Sequence, residues 1–173
     1  MKVGQEPPWD IVPDTQLEKA LGKRVDYYKK ALVCESQSYG IGAFAYYRRI
    51  VEEIIDELLS GVVSLLNDQE KGHYIEVLEQ VKKTTITQDK IQLVKDLLPS
   101  VLRPDGMNPL SGLHEALSEG LHAESDERCM ELAVTIRDVL IFLVSQISIT
   151  NTAAANFSNS MRKLLERKKS QAG

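Results

Sequence analysis

The 173-residue chain is poor in the residues that most often carry chemistry: two cysteines, three histidines, one tryptophan and three phenylalanines. Cys34 and Cys129 stand far apart and in no CxxC pair, which excludes a disulfide framework and a zinc knuckle and makes a reducing cytoplasm the simpler setting. His73, His114 and His122 form no HExxH, and His114 and His122 are eight apart, too distant in helical rise to share a zinc ion. No metal and no cofactor is expected. Gly40, Gly42 and Gly61 make no phosphate loop, because no strand precedes GIGA and no GK[ST] follows it. The N-terminal "MKVGQEPPWDIVPD" has no signal-peptide core, and "VLIFLV" is short against the roughly 20 apolar residues that span a bilayer. The expectation is a cytoplasmic protein with no membrane contact.

Positive charge is also scarce overall. A formal net charge of −4 leaves nucleic-acid attraction to local patches, and one exists in "MRKLLERKK", where Arg162, Lys163, Arg167, Lys168 and Lys169 outnumber Glu166. These five are the candidate binding residues for RNA. Cations that answer the dipole at a helix C-terminus explain the same pattern without a ligand.

What is present is the composition of a folded domain: 43% hydrophobic and 27% charged residues, at a length that suits one core. Residues 1–14, with three prolines and Trp9, suit an extended arm or a linker out of a longer protein. "TQLE" fits a capping box at Thr15 and Glu18. The helix it opens carries Leu17, Ala20, Leu21, Tyr28, Ala31 and Leu32 as far as "SQSYG". From Gly42, the steps Phe44, Tyr47, Val51, Ile54, Leu58, Val62 and Leu65 keep a three-four rhythm and predict the longest buried stripe. The glycines before it permit a tight turn and close approach to a neighbouring helix.

"NDQEKG" reads as a turn holding His73, followed by two shorter helices divided by "TTIT". A short helix starts at Pro109 and runs to about Leu121. Ser125 or Asp126 caps a final core helix reaching at least Ile147, and "TNT" separates it from an amphipathic helix over 153–169. Val139 to Val144 are apolar on every side, which calls for enclosure by other helices or a second subunit. No segment alternates with period two. The predicted architecture is an all-α helical bundle of five to seven helices over 15–150, with 151–173 as a basic C-terminal helix.

The charges of "YYRRIVEEIIDELL" pair at i,i+4, Arg48 with Glu52 and Arg49 with Glu53. One reading is a solvated charged face; the other places the Arg48 guanidinium in a polar pocket at the edge of the stripe. Cys34 and His122 are linked as nucleophile and base by no motif, and a buried structural cysteine is the ordinary reading.

The early "AFAYYRRIVEEIIDEL" helix and the later "NPLSGLHEALSEGLHAESDERCMELA" segment together resemble the HEPN superfamily of bacterial helical domains. The narrower likeness is to the branch attached to restriction enzymes and found in stand-alone bacterial proteins. Arg48, Arg49, Glu52 and Glu53 match the arginine and glutamate of that early helix, and His122 matches a histidine before the last long core helix, over about residues 25–150. RNA-cutting members carry an arginine four to six residues ahead of that histidine; here Ala116, Leu117 and Ser118 stand there.

For an active member the resemblance implies metal-free RNA cleavage at a dimer interface, with histidine moving a proton and arginine stabilising the phosphate. His122, Arg48 and Arg49 are the candidate catalytic residues, with Arg103 as a further source of the absent charge. Two expectations compete: a noncatalytic HEPN-like domain that binds a second copy or another protein in bacterial defence or nucleic-acid processing, and an RNA-binding or RNA-cleaving protein with a degenerate site.

Overall fold

A computed structural model describes residues 11–119 and 125–171, with side chains to residue 165. Among the described residues the chain is all helical, with no strand. Seven α-helices follow in order: α1 (Thr15–Leu21), α2 (Val25–Ser36), α3 (Gly40–Val62), α4 (Asp68–Val81), α5 (Thr87–Val94), α6 (Pro109–Ser118) and α7 (Asp126–Gln171), joined in places by short 3-10 turns. Trp9 lies outside the described residues.

The first expected helix is two helices, and of its expected apolar positions Ala20 is exposed while Leu17, Leu21, Tyr28, Ala31 and Leu32 are buried. Asp14, not Thr15, is the cap of α1, its carboxylate accepting from the Leu17 amide at 2.8 Å, because an aspartate one residue earlier already supplies the oxygen that the first turn needs. Gly22 then takes φ +53°, a conformation glycine adopts without steric cost, and breaks the helix before α2.

Helix α3 is the spine of the core and packs chiefly on α2 and α7. The expected stripe is buried along it from Phe44 through Val62, joined by Ile50, Ile55 and Leu59. Its start abuts the start of α7. A Cβ on Gly40 would sit 1.8 Å from the Asp126 carbonyl oxygen and 2.6 Å from the Met130 amide nitrogen, so only glycine allows this approach. A Cβ on Gly42 would sit 3.0 Å from the Cys34 Sγ of α2. No side chain next to α3 caps it; the Asp126 carboxylate does so from α7, accepting from the Gly40 and Ile41 amides at 3.0 Å each. Those two bonds hold the Asp126 carboxyl below its ordinary pKa.

The "NDQEKG" segment is a helix start rather than a turn. Asn67 accepts from the Gln69 and Glu70 amides while Glu70 reaches back to the Asn67 amide, a reciprocal box that opens α4 and puts exposed His73 inside it. Pro109 opens α6 as expected, with Asn108 as its cap, and the helix ends at Ser118, before the expected Leu121, where Glu119 turns extended.

The largest departure concerns the C-terminal region. Helix α7 is continuous over 46 residues, passing through "TNT" without a break, because that triplet holds neither proline nor glycine. Ser125 caps it, accepting from the Arg128 amide at 3.2 Å. The "VLIFLV" run is not fully enclosed by the described residues: Leu140 and Leu143 are buried, whereas Val139, Ile141, Phe142 and Val144 are half-buried. By length and composition α7 is also apolar enough to cross a bilayer, with a mean hydropathy of 1.8 over its best window, a third of it buried.

Candidate functional site

Arg48 and Arg49 share one cleft of about 340 Å³ with Glu52, Gln88 and Leu117. Both guanidinium groups are paired. Arg48 pairs with Glu52 at 3.3 Å and donates to the Leu117 carbonyl at 3.4 Å, and Arg49 pairs with Glu53 at 3.1 Å and Glu52 at 3.5 Å. The Gln88 amide donates to the same Leu117 carbonyl at 2.7 Å. The cleft therefore works as a cap on the last turn of α6, whose terminal carbonyls need donors. His122 lies outside the described residues. Arg103 lies in a different cleft, with His73 and Tyr74, and donates to the Asp96 carbonyl at 2.6 Å. Among the described residues no group of three or more His, Cys, Asp or Glu side chains is placed to hold a metal ion.

The most buried polar cluster was invisible to spacing. Glu35 of α2 accepts from the hydroxyl of Tyr47 on α3 and from the guanidinium of Arg137 on α7, joining the three principal helices. Burial, then the bond to Glu35, pushes the Tyr47 hydroxyl far above its ordinary pKa, so it stays protonated as a donor. Arg137 also pairs with Asp138 at 3.2 Å. Every charge in this cluster has its counter-charge, which makes it a structural tie with no spare acid or base.

The surface that lacks any internal use is the second half of α7. Along its first half the positions Cys129, Ala133, Ile136, Leu140 and Leu143 are buried against the bundle. The same alternation of four- and three-residue steps continues without a phase change through Ile147, Thr150, Ala154, Phe157, Met161 and Leu164. Here no other described residue covers it: every residue from 151 to 165 is exposed, Phe157 at 68%, Leu164 and Leu165 at 56%, and Met161 at 41%. These residues extend about 22 Å beyond the bundle at the rise of an α-helix. Of the five basic candidates, Arg162 and Lys163 are exposed on this arm, and the side chains of Arg167, Lys168 and Lys169 lie outside the described residues.

At the base of the arm lies a groove of about 630 Å³ between α1, α3 and α7, predominantly apolar and walled by Ala20, Ile54, Leu58, Val144 and Ile147. Ile147 belongs to both features. It packs on Gly61 of α3, where a Cβ would meet it at 3.1 Å, and it carries the stripe out toward the arm. The sequence held the signal for this surface in the unbroken heptad across residues 129–164, hidden by the poor helix formers of "TNT".

No family model, curated protein or solved structure matches the chain.

Proposed function

We propose that the chain is a noncatalytic helical module of the HEPN type whose task is to bind a protein partner through the projecting end of α7. The observation that carries this reading is the exposed apolar stripe of Phe157, Met161, Leu164 and Leu165, in phase with residues that are core a few turns earlier. An exposed single helix rich in asparagine, serine and threonine gains little from intrinsic propensity; such helices persist by burying an apolar face. Contiguous apolar surface of this kind marks an interaction site.

The nuclease reading has less beneath it, since Arg48 and Arg49 are already occupied by carboxylates and a helix-end carbonyl. Structured RNA incubated with the protein in the absence of metal is expected to stay intact. Cleavage that His122→Ala abolishes would overturn the noncatalytic reading. Partner binding is tested by comparing wild type with Phe157→Glu/Leu164→Glu in light scattering and in affinity capture with extract. The reading expects a complex, with itself or another protein, that only the wild type forms. Identical profiles for both proteins would sink it.

A further inference from the structure

We propose that the partner is a second copy of this chain and that two copies exchange arms, each seating Phe157 and Met161 in the groove between α1, α3 and α7 of the other, with the two α7 helices antiparallel. The proposal rests on the reading of the arm as a docking surface and adds the occupant. Arm and groove are one apolar surface, joined at Ile147, with a ridge and a hollow carried on the same helix. Such a surface is complementary to itself under a two-fold axis, and the closed pair it forms covers both features on both copies. A single foreign helix filling the groove would leave the arm bare.

Reciprocity sets the direction and charge fits it. With Phe157 and Met161 beside Val144 and Ile147 of the partner, an antiparallel pair brings the arm beyond Met161 alongside residues 136–143 of the other α7. The arm carries Arg162 and Lys163 there, followed in sequence by three more cations and one glutamate. Around the facing stretch Asp14, Glu35 and Asp138 outnumber Arg137, and the Asp138 side chain is 63% exposed. A parallel pair shifted to seat one arm carries the other away from its groove, so only the antiparallel pair closes.

The test uses the full chain and two surface variants. Phe157→Glu/Met161→Glu spoils the arm, and Ala20→Arg/Ser148→Arg fills the exposed rim of the groove; neither pair lies in the core. Wild type is expected to be a dimer at micromolar concentration, and each variant to raise the dimer dissociation constant tenfold or more while keeping the wild-type helical circular dichroism. Mixing the two variants restores a heterodimer, because one intact arm then meets one intact groove.

A wild-type monomer that still captures another protein through Phe157 would overturn the arm exchange and leave the partner-binding reading standing. A wild-type monomer with no arm-dependent partner would remove both. Failure of the mixed variants to pair, ready disulfide-linked dimers of Leu164→Cys as in a parallel zipper, or arm-dependent flotation of a monomer with phosphatidylcholine–phosphatidylserine vesicles would each overturn the proposal.

Discussion

Gly40→Ala is expected to be among the most damaging single-methyl additions available to this chain, and the same change at two other helical glycines is expected to help. At Gly40 the new Cβ falls 1.8 Å from the Asp126 carbonyl oxygen, where ordinary contact begins near 3.4 Å, so α3 and α7 must separate by roughly 1.5 Å. The obstacle is backbone on both sides and cannot rotate away. Separation also stretches the 3.0 Å bonds from the Gly40 and Ile41 amides to the Asp126 carboxylate. Overpacking costs about 1–3 kcal/mol, and weakening two bonds to a charged acceptor adds about 1.5–3 kcal/mol. The helix propensity regained offsets less than about 1 kcal/mol.

A net loss of about 2–6 kcal/mol would lower the urea midpoint by roughly 1–3 M at a slope of about 2 kcal/mol per M. Gly72 in α4 and Gly112 in α6 have nothing within 4 Å of where the added methyl would stand, so alanine there should stabilise by about 0.4–1 kcal/mol. Urea unfolding followed by circular dichroism reads all three. A Gly40→Ala protein as stable as wild type would refute the close packing of α3 on α7 around which the other helices are arranged.

The Glu35 cluster predicts that Tyr47→Phe costs about 1–3 kcal/mol by removing a buried donor from a carboxylate. A double-mutant cycle of Tyr47→Phe with Arg137→Met should show coupling above about 0.5 kcal/mol in chemical denaturation; additivity would mean that the two do not share Glu35. Because the folded pKa of Asp126 is depressed, its carboxylate contributes stability above the unfolded value of about 3.9 and loses it as pH falls through the folded value. Asp126→Asn should therefore be less stable than wild type at neutral pH, with the gap narrowing in acid; a gap constant down to about pH 2 would contradict the capping role. Arg48→Ala should cost about 1 kcal/mol or less in thermal unfolding, since exposed pairs contribute little and Gln88 keeps its bond to Leu117. A loss of several kcal/mol would show that the cleft does more than cap α6.

The all-α class and the α3 stripe were legible because a three-four rhythm from Phe44 to Val62 admits no other regular structure. The use of the early glycines was legible in kind, close approach, but their neighbours were not: Asp126 is 86 residues away from Gly40. Local chemistry misled where two readings share residues. Asn67 to Gly72 has the composition of a turn and also the capping box of α4, and the Glu at the third position decides between them. Asn151 and its flanking threonines have weak propensity, yet an in-phase stripe on either side continues the helix through them. Arg137 looked like one cation among many on the last helix. Its pairing with Glu35 across 102 residues exists only once α2, α3 and α7 are packed.

Sedimentation equilibrium of the arm-spoiled and groove-filled variants, alone and mixed, decides whether arm and groove are partners between two copies of this chain. Wild type is expected at twice the 19.4 kDa chain mass, each variant at the single mass, and the mixture shifted back toward the dimer. Wild type at the single mass throughout the micromolar range, or a mixture no heavier than its components, would contradict the exchange of arms.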